Sequence, residues 1–273
     1  MADKLVTCDW VQEHGAEDGV RLIEVDVDTD AYGEGHIEGA AGWNWTTQLQ
    51  DQIRRDILTK EAVEELLGAS GISNDSHVVL YGDNNNWFAA YALWLLELYG
   101  HDNVSLMDGG RVKWLGDERP TTQAEAAVSA TSYSAKDADP SLRAKRDDVL
   151  AAVSGGVQLV DVRSPAEFSG EVIAPPGMSE TAQRGGHIPG ARSVPWAKAV
   201  NEDGTFRSVD ELKEIYGGEG LSDGDATIAY CRIGERSSHT WFVLKYLLGY
   251  DDVKNYDGSW TEYGSLIDVP IEK

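Results

Sequence analysis

Two stretches of the chain share one pattern of apolar and polar positions. One is LYGDNNNWFAAYALWLLELYGHDNVSLMDGG (Leu80–Gly110); the other is AYCRIGERSSHTWFVLKYLLGYDDVKNYDGS (Ala229–Ser259). In each, a short apolar run gives way to polar residues, and a longer apolar-rich stretch then ends at a glycine, Gly100 or Gly249. HVVLY (His77–Tyr81) and ATIAY (Ala226–Tyr230) read as buried strands, as do RLIEVDV (Arg21–Val27) and VQLVDV (Val157–Val162). NWFAAYALWLLELYG and SSHTWFVLKYLLGY read as helices closed by glycine, with Trp241, Phe242 and Tyr246 turned to the core. Strand, loop, helix and strand in that order predict an α/β fold with mainly parallel sheets flanked by helices.

The two stretches align without a gap. Tyr81 matches Tyr230, Leu95 matches Leu244, Gly100 matches Gly249, and Asp108-Gly109 matches Asp257-Gly258. Upstream, GHIEGA (Gly35–Ala40) matches GHIPGA (Gly186–Ala191), and Asp26 is set against Asp161. Three blocks in the same order signify a duplicated domain rather than a short solenoid repeat. The expected organisation is one domain over residues 1–120, a linker over 121–142 and a second domain over 143–273. The second half is longer between Phe168 and Gly186, where Gly, Pro and Ser residues predict a surface loop.

The formal net charge of -24 changes the picture. It excludes nucleic acid and anionic membrane surfaces as partners, because like charges repel. The acidic residues are spread along the chain, which points to a salt-adapted cytoplasm where ions screen self-repulsion. Cys8 and Cys231 lie far apart and form neither a disulfide framework nor a metal-binding spacing. The start, MADKLVTCDW, has no signal-peptide pattern, and no apolar run reaches membrane-spanning length. A reducing cytoplasm fits both observations.

The chemistry concentrates in CRIGERS (Cys231–Ser237), a loop between a strand and a helix. In parallel sheets ligands bind beyond the carboxyl ends of the strands, and amides converging at a helix N-terminus cradle anions. Arg232 and Arg236 add positive charge. All three features predict a Cys231 thiol shifted below the ordinary cysteine pKa. Gly234 lets the loop curl, and Ser237 and Ser238 are candidate caps of the helix. In the first half Gly82, Asp83 and Trp87 stand where Cys231, Arg232 and Arg236 stand in the second. The first half is therefore expected to be catalytically silent.

DVRSPAEF, GHIPGA, CRIGERS and YDGSWTEYG, in this order, resemble the rhodanese superfamily and specifically its two-domain sulfurtransferases. The resemblance covers nearly the whole chain and implies two tandem rhodanese-like domains, the second one active. It implies that the Cys231 thiolate attacks the outer sulfur of thiosulfate, releases sulfite and becomes a persulfide that cyanide or a thiol then discharges. Arg232 and Arg236 would bind the sulfonate oxygens, and the amides of Ile233, Gly234, Glu235 and Ser237 would hold the persulfide. Neither metal nor organic cofactor is implied. The chain departs from the animal thiosulfate enzymes at Ile233, where they carry lysine, and at Glu167, where they carry arginine. Arg236 either replaces the lost charge or pairs with Glu167 to hold the loop.

Around this centre, Asp161 and Arg163 are expected to brace the loop by an ion pair. His187 has a twin in His36 and is expected to hold a turn; Trp260 is placed at the rim of the pocket, as wall or packing. His239 and Cys8 are expected to be structural. Three alternatives accompany the thiosulfate reading. A cysteine phosphatase loop places one more residue between cysteine and arginine than the four found here. A 3-mercaptopyruvate enzyme carries a small residue where this chain has Arg232. A persulfide carrier would pass its sulfur to a protein partner.

Overall fold

The computed structural model describes residues 3–27, 30–175 and 182–273. Residues 176–181, within the predicted insertion, lie outside the described residues. The chain divides into two compact units, one of Met1–Asp139 with Asn201–Phe206 and one of Pro140–Val200 with Arg207–Lys273.

In the first unit, β1 (Leu5–Val6), β2 (Val20–Asp26), β3 (Ala41–Asn44), β4 (His77–Tyr81) and β5 (Val104–Met107) form a sheet in the order β1-β5-β4-β2-β3. All its pairings are parallel. The apolar run Trp87–Leu98 forms helix α1, whose residues from Phe88 onward are all buried. That complete burial explains a run that is apolar on every side. Gly100 closes it with φ of 81°, a left-handed turn that glycine enters without strain. Residues 121–139 carry no strand of their own. They lie along this unit through hydrogen bonds from His36 N to Thr122 O (2.9 Å), Thr131 N to Gly68 O (2.9 Å) and Lys136 N to Tyr99 O (2.9 Å).

In the second unit, β6 (Gln158–Asp161), β7 (Arg192–Ser193), β8 (Thr227–Tyr230) and β9 (Val253–Tyr256) form a parallel sheet in the order β9-β8-β6-β7. The chain passes from β6 to β7 on one side and then returns to β8 on the other. The carboxyl ends of β6 and β8 therefore flank a topological switch point, where open α/β sheets bind ligands. Val149, Leu159, Ile188, Ile228, Tyr230, Trp260 and Tyr263 form the core beneath it.

Helix α2 (Glu235–Phe242) follows β8 and begins two residues before the serines that the sequence marks as its caps. Gly234 occupies the N-cap position instead. The serine hydroxyls turn back onto the Gly234 carbonyl, from Ser237 at 3.1 Å and Ser238 at 2.7 Å. Beyond Phe242 the winding loosens to a π-helix over Val243–Leu247, with Leu248 N donating to Val243 O at 2.9 Å. Trp241 and Phe242 are in the core, as expected; Tyr246 lies in the π segment and is only half-buried.

Candidate active site

Every residue of β8 is buried, and the chain leaves it at Cys231. Two neighbours fix the turn that follows. Ser259 receives the Cys231 N–H at 3.0 Å and donates its hydroxyl to Tyr256 O at 2.7 Å. The carbonyls of Cys231 and Arg232 accept the N–H groups of Trp260 and Thr261, each at 3.0 Å. The loop backbone is thereby tied to the start of helix α3 (Ser259–Tyr263). Gly234 has φ of 108°, and a Cβ there would lie 2.9 Å from Asp257 Cα. Only glycine fits, and its N–H consequently points at the Cys231 sulfur, 3.1 Å away. Asp257 is held in turn by Arg143, with two contacts of 2.8 Å.

Asn255, fully buried on β9, completes the frame. Its carboxamide donates to Ser238 Oγ (2.8 Å) and Gly234 O (3.3 Å) and accepts the Ser237 hydroxyl at 2.6 Å. Ser237 Oγ is also 3.6 Å from Cys231 Sγ. Asn255, Ser259 and the Glu235 side chain escape a reading of the loop alone. Asn255 and Ser259 belong to the next strand and turn, and backbone amides drew attention at Glu235. Asn255 on the short strand VKNY, two residues before the repeated Asp257-Gly258, is the one signal that could have pointed to this frame.

The thiol does not behave as the loop charges predict. Cys231 is fully buried, and burial pushes its thiol above the ordinary value. The Glu235 carboxylate, with Oε2 3.4 Å from Sγ, pushes it further. Arg236, Ser237 and the Gly234 N–H act in the opposite direction and are outweighed. The expectation of a depressed thiol is therefore corrected: desolvation of the anion exceeds what partly neutralised cations return.

Arg236 forms a paired contact with Glu167, Nη1 to Oε2 at 3.1 Å and Nη2 to Oε1 at 3.2 Å, with both side chains buried. Its Nε is 3.5 Å from Glu235 Oε1. Burial works against the guanidinium charge, but Cys231, Glu235 and Glu167 together hold it above its usual value. Burial likewise opposes the Glu167 carboxylate, yet Arg236 and Ser164 keep its pKa below the usual range. Glu167 Oε2 also accepts from Ser164 N (3.0 Å) and Oγ (2.9 Å), closing a capping box on the short helix Pro165–Phe168. Of the two roles open for Arg236, the geometry is that of pairing with Glu167.

The surrounding residues fall into place around this frame. Arg163 and Asp161 form a fully buried ion pair at 2.6 Å, and Arg163 also donates to Gly186 O at 2.7 Å. The Arg163 guanidinium lies 4.5 Å from the centre of the Trp260 ring. Trp260 is fully buried, with its indole N–H on Arg184 O at 2.9 Å. Of its two expected roles, wall or packing, it has the second, and its backbone N–H serves the Cys231 carbonyl. His187 stacks on Phe168 and bonds Phe168 O at 2.8 Å; His36 stacks on Tyr32 and bonds Tyr32 O at 2.9 Å. Both histidines hold the same turn. Ile233 and Arg232 are buried in the loop. His239 is in the core, where burial lowers its pKa to about 3. Cys8 is buried too, its thiol pushed up to about 11 by desolvation.

The corresponding loop of the first unit is built differently. A Cβ at Gly82 would overlap Val25 O, so the backbone leaves no space for a side chain. Asn84, Asn85 and Asn86 all have positive φ, of 47°, 54° and 63°. Asn86 Oδ1 accepts the Gly82 N–H at 3.0 Å, and Asn86 Nδ2 donates to Met107 O at 2.7 Å. Among the described residues no group of three or more His, Cys, Asp or Glu side chains could hold a metal ion.

Two parallel-sheet units with a cysteine loop at one switch point define a tandem α/β protein whose candidate nucleophile is Cys231. The chain belongs to the rhodanese family, whose rhodanese-like domain matches residues 7–117 and again 145–266. A relative from Haloferax volcanii named "Putative thiosulfate sulfurtransferase" is 58% identical over 276 residues, covering 99% of this chain and 96% of the relative. "Sulfur carrier protein TtuD" from Thermus thermophilus is 51% identical, covering 98% of this chain and 96% of the relative. Among solved structures, SseA from Escherichia coli, described as a 3-mercaptopyruvate sulfotransferase, superposes with a TM-score of 0.79. It is 28% identical and covers 95% of this chain and 99% of its own.

Proposed function

We propose that this protein is a thiosulfate sulfurtransferase in which Cys231 carries the transferred sulfur. The observation that carries the reading is the placement of Cys231 at the switch point, with the Gly234 N–H at 3.1 Å from its sulfur. The full-length likeness to relatives of that name supports it. In this reading the Cys231 sulfur attacks the outer sulfur of thiosulfate, the S–S bond breaks, and sulfite leaves. The persulfide sits against the loop amides, Gly234 foremost. Arg232 supplies positive charge for the sulfonate, and Arg236 shapes the loop through Glu167. The acceptor is cyanide or a thiol. The first unit, with no space for a side chain at Gly82, is the silent copy.

Intact mass after thiosulfate treatment, for wild type and Cys231→Ser in high salt, tests this. A gain of about 32 Da, absent in the variant and removed by cyanide, establishes the half-reaction. No gain in folded wild type removes thiosulfate as donor and directs attention to 3-mercaptopyruvate or a protein persulfide.

A second reading, a persulfide carrier serving a protein acceptor, is favoured by the 51% identical relative named as a sulfur carrier. Slow turnover with cyanide that a thiol-bearing protein accelerates distinguishes it. A reducing cytoplasm suits either role, since the thiol must be regenerated. No helix among the described residues is long and apolar enough to cross a membrane.

A further inference from the structure

Two carboxylates converge on Arg236 of the cysteine loop. Glu167 takes up the terminal nitrogens of Arg236, and Glu235 reaches Arg236 Nε with one oxygen and the Cys231 sulfur with the other, at 3.5 and 3.4 Å. Glu235 is the first residue of helix α2 and is 2% exposed. A carboxylate this close to a buried sulfur sets a problem for sulfur transfer. The thiol must lose its proton to attack, and the persulfide that results is an anion. Two anions a few ångströms apart in a dry site repel strongly, so one of them takes a proton. The thiol's own proton is the nearest available.

We propose that Glu235 is a catalytic residue that takes the Cys231 proton as the sulfur attacks and holds it while the sulfur is carried. This rests on Cys231 as the sulfur carrier. As Cys231 Sγ bonds to the outer sulfur of thiosulfate, the S–H proton passes to Glu235 Oε2. The S–S bond of thiosulfate breaks, and its electron pair leaves with sulfite. The products are a persulfide anion, a neutral Glu235 and sulfite, and the total charge is unchanged. The protonated carboxyl then donates to the persulfide instead of repelling it. In the second step cyanide bonds to the outer sulfur and leaves as thiocyanate. The Cys231 thiolate is released and recovers its proton from Glu235.

The charged groups around Glu235 are Cys231 and Arg236, with Glu167 behind Arg236 from the helix Pro165–Phe168. Arg232 lies in the same loop. Asp257 packs against Gly234 from the turn after β9 and is engaged by Arg143. The carboxylate in contact with Sγ is thus that of Glu235.

The test is single-turnover sulfite release at saturating thiosulfate between pH 6 and 8, for full-length wild type, Glu235→Gln and Glu235→Asp. With an internal proton acceptor, wild type is nearly flat across this range. Glu235→Gln must wait for solvent to remove the proton. Burial, the larger of the two effects that hold the thiol up, remains when the Glu235 charge is gone, so its rate climbs about tenfold per pH unit while the thiol stays protonated. Glu235→Asp keeps the carboxylate and retains the flat profile at a lower rate. A purely structural Glu235 would instead lower the rate equally at every pH. Parallel profiles in wild type and Glu235→Gln overturn the proposal, as does a wild-type rate that itself rises tenfold per unit. A steep profile in folded Glu235→Asp overturns it as well. Wild type that neither releases sulfite nor gains the mass of sulfur removes Cys231 as carrier along with it. Wild type that forms the persulfide with a steep profile removes Glu235 alone.

Discussion

At Cys231 the charge of Arg236 is outweighed by loss of water, because Arg236 is already committed to Glu167 and Glu235 adds a negative charge beside the sulfur. The same pairing decides what Arg236 contributes. Breaking a buried pair strands the remaining charge, which costs about 3–5 kcal/mol. Arg236→Ala is accordingly expected to lower the unfolding free energy by that order, read as a lower urea midpoint at unchanged m-value, besides weakening donor use. Glu167→Gln combined with Arg236→Ala should recover part of the loss, since the stranded charge is then gone. Equal midpoints for Arg236→Ala and wild type would remove the pair from the folding balance. The acid dependence follows from the depressed Glu167 pKa. Its stabilisation is present at and above the ordinary carboxylate range and is lost as the pH falls through the lowered folded-state value.

At the level of elements, the strand-loop-helix of β8 and α2 works because one residue without a Cβ joins its parts. Gly234 sits at φ of 108° against Asp257 and presents its N–H to the sulfur. Gly234→Ala should cost about 1–3 kcal/mol in strain. It should also lower kcat by at least tenfold, because the displaced amide no longer faces the sulfur. Thermal melting and persulfide formation read the two effects separately. Retention of full kcat in a folded variant would show that the amide is dispensable. The equivalent loop in the first unit is shaped by three left-handed asparagines, and its Gly82 has no space for a side chain.

For the whole molecule, the net charge of -24 sets the conditions in which the fold and the reaction operate. Self-repulsion falls as salt screens the surface, over a Debye length of about 10 Å at 0.1 M and about 3 Å at 1 M. The melting temperature should therefore rise between these salt concentrations. The same screening should raise kcat/KM for thiosulfate, an anion approaching an anionic protein. The loop charge does less to offset that field than the number of arginines implies, because Glu167 and Glu235 both pair with Arg236. A melting temperature and a kcat/KM both indifferent to salt would contradict a salt-adapted protein.

The duplication, the parallel α/β class and the prominence of Cys231 were legible in the sequence, because each rests on local order. Apolar periodicity specifies strands and helices, and repeated blocks in one order reveal a copied domain. The turn held by His36 and again by His187 was legible for the same reason, as a repeated local motif. Tertiary structure decided the rest. The direction of the Cys231 pKa depends on how completely the fold removes water, which residue order does not state. The pairing of Arg236 with Glu167, distant along the chain, required the helix Pro165–Phe168 to be brought against α2. Asn255 became part of the loop frame only when β9 was laid beside β8. Of the two readings open for Trp260, wall or packing, the folded chain gives packing, with the indole buried against Arg163 and bonded to Arg184 O. Sequence carries what neighbours along the chain impose; charge balance and dryness at a buried sulfur come from groups that meet only after folding.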